Sequence, residues 1–330
     1  MTYSSGGLIQ ATDYNGFVST NGANVNGIWG TGTSSFGYGQ TAMSTVSAAG
    51  TVTATQWASL VNNISSMGSH TGTSITSRSA PTAGNTINIL SNLNTDITNI
   101  TTNRGFAAAS GTEYGVYSGP PSKTSGTGSG QSAWTITFTH TVTFASADAA
   151  RYFWNAGGLV RIQYGKTSTG TDADPDWNNL AGQCGSIFLA GRVGGAAQTI
   201  AGTSYTGINR IGGTGGTQTT LATTTGWYNL TGSPTTIFQL NDAVSPYSTN
   251  FIRTQATATS STVLTLVTVW SDDGTGTTGS TANISGGTGT ASPSTTITGT
   301  APTTLVTYRP PSSTYLTNSW GTPSIAAAAS

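Results

Sequence analysis

Apolar residues recur along this chain with two different spacings. Between residues 53 and 67, Trp57, Leu60, Val61, Ile64 and Met67 fall on one stripe of a 3.6-residue period, which predicts an amphipathic helix. Thr53 with Gln56 three residues later is a capping-box pattern, and Gly68 is placed to close the helix. Between 86 and 103, Leu90, Leu93, Ile97 and Ile100 alternate spacings of three and four, the seam of a coiled coil. The intervening Asn, Thr and Ser are weak helix formers, so this second helix needs packing partners. Two arrangements satisfy that need: a hairpin folded within one chain, or a bundle of several chains. The bundle is the favoured expectation, since one hairpin alone buries little. It makes Trp57, Leu60, Ile64, Leu90, Leu93, Ile97 and Ile100 oligomerisation residues.

After Ser132 the period drops to two. Trp134, Ile136 and Phe138 alternate with Thr135, Thr137 and Thr139, and Val142 and Phe144 continue the face, which predicts a long half-buried strand. A short helix is expected over Ala147–Asn155, with Ser146 as N-cap and Gly157 beyond its end. Tyr152, Phe153 and Trp154 make an aromatic block there that has to be buried on more than one side. Leu159–Tyr164 reads as a strand. Asp174–Leu189 reads as a helix with Pro175 in its first turn, although Gly182 and Gly185 weaken that assignment. Further strands are predicted at Ala197–Tyr205, Thr219–Thr224, Thr235–Leu240, Asn250–Thr257, Thr262–Ser271, Thr281–Ile284, Ser294–Thr300 and Thr303–Arg309. Their turn-punctuated spacing is that of a β-sandwich.

The expected fold class is therefore α+β, mainly β. Residues 1–50 form an arm with spaced aromatics and one short helix near Ala11–Ser19. Residues 51–105 form a helical attachment region. A Gly/Ser/Pro linker spans 106–131, a β-rich domain with one or two inserted helices spans 132–312, and an extended tail spans 313–330.

Composition narrows the function classes. The 330 residues include only 10 Lys+Arg and 10 Asp+Glu, with a formal net charge of zero, against 45 glycines. Charged residues make up 6%, where a soluble domain has about 25%. Phosphate-driven nucleic-acid binding needs a basic patch that this chain lacks. The 8 Trp, 12 Tyr and 9 Phe are enough for cores, and a neutral chain with weak self-repulsion suits an assembly. A single cysteine, Cys184, gives no internal disulfide. No run of about 18 apolar residues predicts a membrane span, and the first ten residues lack a signal-peptide pattern.

Candidate chemistry is sparse. His70 and His140 have no metal-ligand spacing around them. Asp172, Asp174 and Asp176 alternate like calcium ligands, but Pro175 intervenes and no Glu follows, so the favoured reading is a helix N-terminus. Asp272–Asp273–Gly274 reads as a hairpin turn or a calcium site. Glu113 is the only glutamate, and a carboxylate pair for glycoside cleavage would need an Asp beside it. Trp227–Tyr228 and Trp320 lie in polar loops where a sugar ring could stack. No cofactor motif is present.

The segment Ser-Ala-Asp-Ala-Ala-Arg-Tyr-Phe-Trp-Asn-Ala-Gly-Gly-Leu-Val-Arg-Ile (146–162) resembles a pattern in structural proteins of tailed phages, notably cyanophages. Leu8–Phe17 and Val52–Leu60 resemble the same group. The resemblance spans roughly the first 200 residues and implies a virion protein of the tail, neck or fibre type. It carries no individual functional residue. The expectation is a non-enzymatic homo-oligomer, a trimer favoured, assembled in the host cytoplasm and contacting other virion proteins. Alternatives are a receptor-binding fibre touching host glycan, a secreted adhesin or surface-layer subunit and, last, a capsid decoration protein or depolymerase.

Overall fold

The computed structural model describes residues 11–19, 24–83, 92–106, 134–167, 173–193, 198–200, 203–243, 248–272, 282–284, 287–289 and 300–330. The fold is α+β, mainly β. The helices are α1 (Ala11–Val18), α2 (Val25–Trp29), α3 (Ala54–Thr71), α4 (Leu93–Asn103), α5 (Ala147–Asn155) and α6 (Ala173–Cys184). The strands in chain order are β1 (Trp134–Thr143), β2 (Leu159–Gly165), β3 (Ser186–Leu189), β4 (Gln198–Ile200), β5 (Thr203–Tyr205), β6 (Ile208–Ile211) and β7 (Thr217–Leu221). They continue with β8 (Thr235–Asn241), β9 (Phe251–Ser260), β10 (Val263–Asp272), β11 (Ala282–Ile284), β12 (Gly287–Gly289), β13 (Thr303–Arg309) and β14 (Ser324–Ala329).

Two antiparallel sheets carry the β-rich part. One has six strands in the order β14-β1-β10-β9-β8-β7, the other four in the order β13-β2-β3-β6. The period-two pattern read from β1 is the observed one: Trp134, Ile136, Phe138 and Val142 are buried while the intervening threonines are half-buried or exposed. Where the sheets meet, buried hydroxyls bond across the interface. Tyr164 on β2 lies 2.7 Å from the Thr254 hydroxyl on β9, and the Trp270 indole N–H on β10 donates to Thr304 on β13 at 3.1 Å. Tyr164 also stacks on Phe238 of β8 at 5.8 Å. Threonine thus serves inside the sandwich as well as outside it. The six-stranded and four-stranded sheets are linked through α5, which connects β1 to β2, while α6 connects β2 to β3. Trp177 of α6 packs against Trp134 and Trp270 at 4.7 and 5.9 Å.

The N-terminal helices join the same hydrophobic core as the sheets. The capping box at Thr53 and Gln56 is present. Gly68 does not end α3, however. The helix runs one turn further to Thr71, and Gly72 follows in the left-handed conformation. Trp57, Leu60 and Ile64 are fully buried, with Trp57 edge-on to Tyr14 of α1 at 5.4 Å. Leu93, Ile97 and Ile100 of α4 are buried too, and α4 packs on α3. Both apolar stripes are therefore covered by this chain's own elements. Among the described residues, the apolar stripes of α3 and α4 are thus spent inside one chain and do not by themselves call for a multi-chain bundle. Leu90 and the predicted first turns of this helix lie outside the described residues, as does the 106–131 linker except for Phe106.

Other boundaries shift for identifiable reasons. Gly185 adopts a φ of +67°, which ends α6 and turns Ile187 and Phe188 into β3. The predicted strand at 197–205 is a hairpin of β4 and β5. The short β6 and the alanine-rich β14 were not expected as strands. Residues 294–299 of another predicted strand lie outside the described residues.

Candidate functional site

Both histidines and the cysteine are buried in the packing of the fold. His70 is buried at the end of α3, and its Nε2 donates to the Ala156 carbonyl at 3.0 Å. Ala156 caps α5, so one imidazole ties the C-terminal ends of two helices together. Its ring meets Tyr38 edge-on at 5.4 Å. Burial lowers the His70 pKa to about 4, partly offset by that carbonyl. His140 is fully buried on β1. Neither of its ring nitrogens closes a hydrogen bond, and burial lowers its pKa to about 4, offset in part by the nearby Thr304 backbone. Cys184 is buried, and desolvation pushes its thiol pKa up, away from a reactive thiolate.

Among the acidic candidates, Asp176 is the one whose side-chain surroundings can be described on α6. Asp176 is half-buried on α6, and burial followed by the charge of Asp242 raises its pKa. The side chain of Asp174, and all of Asp172, Asp273 and Glu113, lie outside the described residues. Among the described residues, no group of three or more His, Cys, Asp or Glu side chains is close enough to hold a metal ion. The sugar-stacking candidates Trp227 and Trp320 are 8% and 2% exposed, so their faces are spent on packing. Trp227 stacks on Trp154 at 5.5 Å.

What the structure does bring together is the aromatic block of α5. Phe153 and Trp154 pack on Phe144, and Phe153 also meets Tyr308 at 6.0 Å. Tyr152 lies over Gly39, where an added Cβ would come within 2.3 Å of its ring. The helix is wedged between the sandwich and the N-terminal layer, and amide groups seal the joint. Asn155 donates from its side-chain nitrogen to the carbonyls of Ser34, Phe36 and Gly37 at 2.8 to 3.2 Å, and its oxygen accepts from the Tyr228 hydroxyl at 2.8 Å. Arg151 reaches the Gly32 carbonyl and pairs with Asp148 at 2.8 Å.

Three more amides imitate a strand partner. Asn15 bonds both the N–H and the C=O of Val46, at 2.8 and 2.7 Å. Asn26 does the same to Met43, and Gln40 does it to Thr317 at 2.8 and 2.9 Å. Each amide presents one donor and one acceptor, the same pair a peptide presents. These brackets leave no mark in the sequence, because asparagine in a Gly-rich stretch looks the same whether it is bonded or solvated.

One cavity, of about 290 Å³, opens beside the C-terminal segment. Tyr308, Pro310, Pro311 and Trp320 supply its apolar walls, and Ser313, Asn318 and Thr322 supply neutral polar groups. No protein-family model, curated protein or solved structure matches this chain.

Proposed function

We propose that this chain is a structural subunit of a tailed-phage virion, working by assembly rather than by catalysis. The observation that carries this reading is where the phage-like segment falls. Residues 146–162 form α5 and the start of β2, and α5 fastens the helical layer to the sandwich. The segment read as phage-like is thus the joint of the whole fold and not a detachable decoration. The neutral, charge-poor composition and the use of amides in place of ion pairs agree with a part built to persist outside a cell. The role includes contact with other virion proteins at the tail, neck or fibre. Mass spectrometry and cryo-electron microscopy of purified particles from the encoding phage test it. The expected result is this chain in stoichiometric amount and its fold repeated in the density; particles without it would overturn the proposal.

A second reading, contact with host glycan, is favoured by the 290 Å³ cavity, whose neutral hydroxyl and amide lining beside Trp320 suits a polyol. Titrating host-surface saccharides while following tryptophan fluorescence checks it. Saturable quenching that Asn318→Ala reduces would favour it, and no change with any saccharide would remove it.

A further inference from the structure

The two sheets have four edges, and three of them are blunted. The strand β7 carries a register shift between Gln218 and Thr220. β6 is four residues long and holds Arg210. β13 begins after Pro302 and runs into Arg309, Pro310 and Pro311. Short length, bulges, charges and prolines are the devices by which proteins keep sheet edges from pairing with other chains. The fourth edge, β14, follows Pro323 but has no bulge, charge or proline within it. Its sequence is Ser-Ile-Ala-Ala-Ala-Ala, and its residues alternate between exposed and half-buried.

The ladder shows which backbone groups this edge presents. Ser330 and Thr137 exchange two hydrogen bonds of 2.9 Å. In an antiparallel pair, bonded and non-bonded positions alternate. Ala328, Ala326 and Ser324 therefore bond to their β1 partners Thr139, Thr141 and Thr143, while Ile325, Ala327 and Ala329 turn their N–H and C=O groups away from β1. Among the described residues, no strand lies on that side of β14.

We infer that β14 pairs antiparallel with the β14 of a second copy about a twofold axis, joining two six-stranded sheets into one. With Ala327 opposite its own symmetry mate, Ile325 faces the partner copy's Ala329 and the reverse. These three reciprocal pairs supply about six backbone hydrogen bonds. A twofold contact requires a self-complementary surface, and a run of alanines is one: its side chains are identical in both directions and too small to keep the strands apart. The formal net charge of zero adds no repulsion between copies. The inference rests on the sheet edge alone and is independent of the virion reading.

Sedimentation of the full-length chain over a range of concentrations tests it. The expected result is a reversible dimer. Ala327→Pro removes only an N–H that the β1 ladder does not use, so the variant should fold, melt close to the parent and sediment as a monomer. In the twofold register Ala326 lies opposite the second copy's Ala328. The double variant Ala326→Cys, Ala328→Cys should therefore oxidise to a disulfide-linked dimer, undisturbed by the buried Cys184. A parent chain that stays monomeric at all concentrations overturns the inference, as does a dimer that survives in a folded Ala327→Pro variant. Should Ala327→Pro fail to fold, the cysteine pair decides, and a dimer without cross-linking overturns the inference.

Discussion

His140 sits on the inward side of β1 with neither ring nitrogen bonded, and with His70 it gives the fold a defined response to acid. Both pKa values are lowered from 6.5 to about 4 by burial, so the unfolded chain binds protons that the folded chain refuses. Stability is therefore full above pH 6.5 and falls as the pH drops toward 4, by roughly 3 kcal/mol for each imidazole. Asp176 acts with the opposite sign. Its raised pKa makes the folded state the better proton acceptor, which adds stability as the pH approaches the carboxylate range. Urea unfolding at pH 7, 5.5 and 4.5 should show a falling midpoint. His140→Leu should leave the pH 7 midpoint unchanged or higher, since it removes an unbonded buried polar group, and should remove about half of the acid sensitivity. At Gly39, where φ is +70° and the Tyr152 ring is in the way, Gly39→Ala should cost about 3 kcal/mol or more, from a strained left-handed backbone and overpacking together. The same melts measure it.

At the scale of elements, the joint around α5 depends on Asn155. Asn155→Ala strands the carbonyls of Phe36 and Gly37, while the Tyr228 hydroxyl keeps the Ser34 carbonyl at 3.1 Å, and should cost about 2–4 kcal/mol. Asn155→Asp should be worse despite its matching shape, because it sets an acceptor against three acceptors. Denaturant unfolding of the two variants side by side checks the order. These elements also differ in how far the sequence foretold them. The helix α3 was legible from its stripe and its Thr53 cap, and β1 from its alternation, because burial on one face imposes those periods. The extent of α3 past Gly68 was not, since a glycine inside a helix is tolerated where its neighbours pack on it. β14 was illegible for another reason. Alanine has little preference for a strand, and only the ladder to β1 makes it one. The partner of the two helical stripes was equally hidden, because a stripe shows that a face is buried but not by which chain.

For the whole molecule, one hydrophobic core links the helical layer to the sandwich. Calorimetry should accordingly show a single cooperative transition, with calorimetric and van't Hoff enthalpies equal; two separate transitions would mean independent units. Among the ion pairs of the described residues, Arg78–Asp96 at 2.5 Å is buried. Buried pairs are little screened, so the melting temperature should hardly move between low and high salt. Of the candidate site, the sequence conveyed the aromatic block at Tyr152–Trp154. It did not convey the amide brackets or the cavity, whose parts come from segments far apart in the chain.

The brackets at Asn15 and Asn26 bear on how this protein ages. Each of these asparagines is followed by glycine, as Asn15–Gly16 and Asn26–Gly27, the dipeptide in which a side-chain amide is most readily attacked by the next backbone nitrogen and lost as ammonia. Asparagine is among the residues that proteins exposed to heat for long periods discard. Here each amide is clamped at both ends to a peptide of residues 43–46 and cannot swing back onto its neighbour. The hydrogen bonds that hold the N-terminal layer in place are thus also what keeps two of the chain's three Asn-Gly asparagines, the third being Asn21, from decaying, and the loss of those two amides is set by how rarely that layer opens.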